Sequence, residues 1–134
     1  MELKLIQGQP HIAFKQGKRE VIQAPAEVMA RARKRIEDSR SMLTSLENTR
    51  HEQQTRLEEA LLAGGSTAGA RKELATIAEL EADQAREIDD AETDIRQVEF
   101  LIDSHRADQL NQDRADSILA LCAPFDNFLK EHQR

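Results

Sequence analysis

Glycines beside a basic pair are well suited to holding a phosphate, and the stretch LLAGGSTAGARKEL at 61–74 brings them together. A phosphate-binding loop needs a strand leading in, a nest of backbone N–H groups, and a Lys then Ser or Thr directly after the last glycine. Here Gly69 is followed by Ala70 and Arg71, the lead-in RLEEALLA is an amphipathic helix, and the hydroxyl that would hold magnesium is missing. Gly64 and Gly65 fit a helix C-cap instead, and Ser66 or Thr67 fits the N-cap of the next helix. The segment reads as a hinge.

Two other groupings could carry chemistry. Asp89, Asp90, Glu92 and Asp94 crowd one short span, and His105 lies three residues from Asp108. A ferritin-like diiron site needs Glu-x-x-His units projecting inward from facing helices, and the sequence has none. His11, His51, His105 and His132 are scattered, so the carboxylates fit the solvated face of a long helix. The lone Cys122 forms no intrachain disulfide and stands near Leu119, Leu121 and Phe125, where a thiol behaves as a small hydrophobe. No Gly-x-Ser-x-Gly elbow and no Asp/His relay accompanies it. The expectation is a protein that is not an enzyme, with no catalytic residue, no cofactor and no metal.

The elements that carry these residues follow from composition and period. The chain has 134 residues, of which 39% are hydrophobic, 33% charged and only 3% aromatic, which suits an elongated helical protein better than a compact core. Residues 1–24 alternate in short apolar runs, Leu3 and Leu5, Ile12 and Phe14, Val21 or Ile22, with turn signals at GQP and QGK. That pattern predicts a three-stranded β-meander, which caps the chain's own helices or docks on a partner through Ile12 and Phe14.

Pro25 opens a helix with Glu27 in its first turn, and no Pro or Gly recurs until Gly64. Met29, Ile36, Leu43, Arg50 and Leu57 fall seven apart, with Ala32, Ser39, Leu46, Gln53 and Ala60 as the companion row. After the hinge the pattern resumes in Leu74, Glu81, Ile88, Ile95 and Ile102, and in Ile77, Gln84, Ala91, Val98 and His105. The prediction is a mainly α fold, a long antiparallel helical hairpin or coiled coil over 25–62 and 68–106 with a hinge at 63–70. Folding at the hinge sets Ile36 near Ile95 and makes Arg50, Gln53, Glu81 and Gln84 one polar, register-setting layer. Beyond His105 the second helix continues or bends, and the remainder, 107–134, reads as a C-terminal helical segment with Pro124 restarting a short helix, which folds back on the hairpin or receives a partner on Phe125, Phe128 and Leu129.

Charge narrows the functional classes. The net charge of -6 argues against a general nucleic-acid coat. The first helix is basic at Arg31, Arg33, Lys34, Arg35 and Arg40, whereas 79–94 carries eight acids against Arg86 alone. These segments steer the hairpin's own pairing, or one of them meets a partner. The leading expectation is a protein-protein interaction or assembly protein that binds a protein partner, itself (as a homo-oligomer), or both. An alternative is an acidic regulator or inhibitor of a nucleic-acid-handling complex acting through the Glu79–Asp94 face, with Asp89, Asp90, Glu92 and Asp94 as its candidate contacts, and a weaker one is direct nucleic-acid contact through Arg31–Arg35, with Arg31, Arg33 and Arg35 on phosphates. No apolar run nears the roughly 18 residues of a membrane span, and no basic then apolar leader opens the chain, which points to an intracellular, cytoplasmic protein.

Overall fold

The computed structural model describes the backbone of residues 1–132 and the side chains of residues 1–122. Three strands precede two long helices: β1 (Glu2–Ile6), β2 (Gln9–Gln16), β3 (Arg19–Gln23), α1 (Pro25–Ala63) and α2 (Ala68–His132). The strands form one antiparallel sheet in the order β1-β2-β3, and the helices pack as a hairpin.

Two-residue turns join the strands, since Ile6 pairs with Gln9 and Gln16 with Arg19. Gln7 and Gly8 both take positive φ (54° and 78°), the backbone of a turn whose twist matches the flanking strands. The first turn therefore sits one residue earlier than the GQP signal implied, and Pro10 lies within β2 opposite Leu5. Proline is tolerated there for a local reason. In a two-residue hairpin the pair that closes the turn, Ile6 and Gln9, is hydrogen-bonded and the next pair, Leu5 and Pro10, is not, so the missing N–H would have pointed away from β1, and β3 begins its pairing only at Ile12.

One face of this sheet closes the open end of the hairpin. Ile12 is fully buried against Val28 of α1 and Val98 of α2, with Phe14, Met29, Leu101 and Ile102 packed around them. A second cluster along the seam joins Ala32, Ile36 and Ala91, flanked by Ile88 and Ile95, so the expected meeting of Ile36 with Ile95 is present. On the sheet's other face Lys4 donates to Glu20 at 2.6 Å across the central strand. That hydrogen bond raises the lysine's pKa and lowers the glutamate's.

The hairpin's closed end is built as its glycines require. Gly64 adopts the left-handed conformation (φ 70°), and Gly65 N–H donates to the Ala60 carbonyl at 2.8 Å, the long-range bond of a Schellman-type helix end. α2 begins at Ala68, so the hinge is confined to 64–67 and is narrower than 63–70. Of the two options for the C-terminal segment, continuation holds: α2 runs past His105 as one helix to His132, with no short helix restarting at Pro124. The heptad rows turn polar at Gln109, Gln112 and Asp116, which ends the seam with α1 but leaves good helix formers that carry the backbone on. The 65-residue α2 exceeds the 39-residue α1 by 26 residues, an overhang of about 39 Å at 1.5 Å per residue.

Candidate interaction surfaces

The glycine-rich hinge presents no phosphate cradle. Thr67 stands just before α2, its carbonyl accepting the Arg71 N–H at 3.0 Å and its hydroxyl accepting Arg71 Nε at 3.1 Å. The basic side chain beside the glycines is thus turned onto its own helix start. Among the described residues no group of three or more His, Cys, Asp or Glu is gathered as metal ligands would be. The free Cys122 is exposed, where a surrounding of buried hydrophobes was expected.

The oppositely charged segments meet through one residue. Arg35 donates from Nε to Glu87 Oε1 at 2.7 Å and from Nη1 to Asp94 Oδ2 at 3.0 Å. Glu87 and Asp94 stand seven apart, two turns along one side of α2, so a single guanidinium clasps both. Its hydrogen bond holds the Glu87 carboxyl below the ordinary carboxylate value, against a smaller opposing effect of burial. Arg35 and Asp94 are therefore engaged within the chain. Arg31, Arg33 and Lys34 remain exposed on α1, as do Asp89 and Asp90 on α2, with Glu92 half-buried.

Farther along the seam Arg50 Nη1 donates to Glu81 Oε2 at 3.4 Å, while Gln53 is buried and Gln84 half-buried. Of these four polar positions, Arg50 and Glu81 are brought into contact across the seam. Ile12 and Phe14, read from the sequence as a docking option, do different work: Ile12 has no exposed surface and Phe14 packs beside it, so both fasten the sheet to the helices. The side chains of Phe125, Phe128 and Leu129 lie outside the described residues.

Exposed apolar side chains recur along the overhang of α2, as they do at the hinge, where Leu62 is 90% exposed, and on the sheet. Every described side chain from 106 to 122 is exposed. Leu110 is 51% exposed, Ile118 61%, Leu119 67% and Leu121 80%. Phe100, at 69%, lies within the hairpin yet faces neither α1 nor the sheet. The sequence reading passed over Phe100 because the a/d rows sort it to the outer face. The signal that would have found it is a second row of seven, Phe100, Ala107, Arg114 and Leu121. At the base of the overhang lies a groove of about 810 Å³ lined by Pro10, Pro25, Met29, Ile102, His105 and Arg106 among others. No described helix is long and apolar enough to cross a membrane.

Comparison of the chain with protein-family models, curated proteins and solved structures finds no match.

Proposed function

We propose that this chain is a non-enzymatic protein-protein interaction or assembly protein, in which the hairpin is a rigid arm and the α2 overhang is the docking end. The observation that carries the reading is the exposure of Ile118, Leu119 and Leu121 on a stretch of helix with no neighbour among the described residues. At 100° per residue these three side chains span about 160° of the helix circumference, a broad apolar face of the kind that marks an interaction site. The acidic-regulator reading draws less support, because Glu87 and Asp94 are occupied by Arg35. Glu79, Asp89 and Asp90 are exposed acids left to it, while Asp83 is paired with Arg86.

Capture tests the choice. The tagged full chain would be recovered from its native source with nuclease present, at about 0.1 M and about 1 M salt, where screening lengths fall from roughly 10 Å to 3 Å. Apolar docking predicts a stoichiometric companion, which includes a second copy of the chain, that survives high salt and is lost with Leu119→Asp/Leu121→Asp. A companion released by salt and indifferent to that variant would overturn the reading in favour of the charged surfaces.

A further inference from the structure

The overhang has a face that is complementary to itself. On α2 the contacts with α1 run through Ile88, Ala91, Ile95, Val98 and Ile102, and the sheet packs beside Leu101. At 100° per residue Phe100 stands about 160° around the helix from Ile102, away from both. From Phe100 a stripe continues through Ala107, Leu110, Arg114, Ile118 and Leu121 at spacings of three, four and seven, the pattern of a coiled-coil seam. No described residue covers it, since Phe100, Leu110, Ile118 and Leu121 are all more than half exposed.

We propose that this stripe pairs with the same stripe of a second copy, the two α2 helices running antiparallel about a two-fold axis between residues 110 and 111. The inference rests on the assembly reading above and names the partner. Reversing one copy on the other sets Phe100 opposite Leu121, so a large apolar group meets a large apolar group at each end. Ala107 then lies opposite Arg114, and the small side chain leaves room for the arginine stem to lie along the seam with its head at the edge. Arg106 and Asp113 fall on the same flank and face one another across the interface, and the two-fold repeats each of these contacts.

Orientation follows from the same residues. A parallel pair in register would stack Arg114 on Arg114 and oppose Phe100 to Phe100, concentrating like charge at the centre of the seam. The antiparallel arrangement separates the two arginines and gives each a small neighbour. It also runs the apolar end of each copy alongside the other's hairpin, so a helix that is bare in one chain becomes lined in the pair.

Sedimentation equilibrium of the full-length chain over a wide concentration range is the test, with circular dichroism confirming that each variant stays helical. The intact chain is expected to dimerise, and Phe100→Asp or Leu121→Asp to weaken the dimer by about a hundredfold or more, the scale of a central anchor lost. Arg106→Asp and Asp113→Arg are each expected to weaken it by about tenfold, since each sets like charges opposite one another twice. The double variant is expected to restore association. Arg106 and Asp113 are seven residues apart on one helix, beyond the three- or four-residue reach of an intrachain pair, so rescue reports contact between copies. A monomer at every concentration, a dimer indifferent to Phe100 and Leu121, or charge reversal without rescue would each overturn the proposal. A monomer that still retains a salt-resistant companion of another kind would overturn this inference and leave the interaction reading standing.

Discussion

At the scale of single residues, Arg35 is the side chain that converts the charge pattern into geometry. Its clasp of Glu87 and Asp94 fixes how α1 and α2 are rotated against each other beside the Ala32, Ile36 and Ala91 cluster. Because the hydrogen bond lowers the Glu87 pKa on folding, the folded state binds its proton less readily than the unfolded one. The stabilisation is therefore present above the ordinary carboxylate range and is lost as pH falls through it. Glu87 is well exposed, so the contribution is modest, about 0.5–1 kcal/mol for a solvent-screened pair. Denaturant unfolding of Glu87→Gln is expected to show that loss at neutral pH and to converge on the parent protein once pH falls below the lowered value of Glu87. An unchanged difference at both pH values would mean that the pair does not couple the helices.

The charge segments were legible in the sequence, but Arg35 as their junction was not. Five basic side chains compete for that role by composition, and only rotation about the helix axis selects one. Ile12 illustrates the same limit. Alternation alone marked it as apolar, and whether its face meets the chain's own helices or a partner is decided by where β2 lands.

At the scale of elements, the seam and the sheet hold the molecule in different ways. The hairpin was readable because two heptad rows and a glycine hinge constrain it jointly: a sum near 131 that sets Ile36 by Ile95 also brings Arg50 to Glu81. The extent of α2 was not readable from the same rows. A seam ends when its partner ends, whereas a helix ends only at a residue that breaks or caps it, so rows that stop at His105 leave continuation and bending equally open. The sheet is joined to the helices through few side chains, which makes Ile12 its principal anchor. Truncating a fully buried Ile to Ala costs about 2–5 kcal/mol. Ile12→Ala is expected to release β1 to β3 from the hairpin, seen as rapid proteolysis within 1–24, while α1 and α2 stay helical by circular dichroism. Retention of the sheet at parental stability would show that the anchor lies elsewhere.

At the scale of the whole molecule, the two ends are unlike. One is closed by a capped hinge, the other carries a sheet at its base and a bare helix beyond it. A long helix in water draws most of its stability from packing an apolar face, and an unpartnered overhang lacks that support. Its local stability should therefore lie at the low end of the molecule until something binds it. The account's central claim is that the overhang is where binding happens, and amide hydrogen exchange across the full chain tests it most directly. In dilute protein the amides of 106–122 are expected to exchange far faster than those of the seam around Ile36 and Ile95. They should slow sharply when concentration rises or a companion is added. Amides on the overhang that are as protected as the seam at the lowest concentration, or that stay fast while a bound companion protects some other surface, would contradict it.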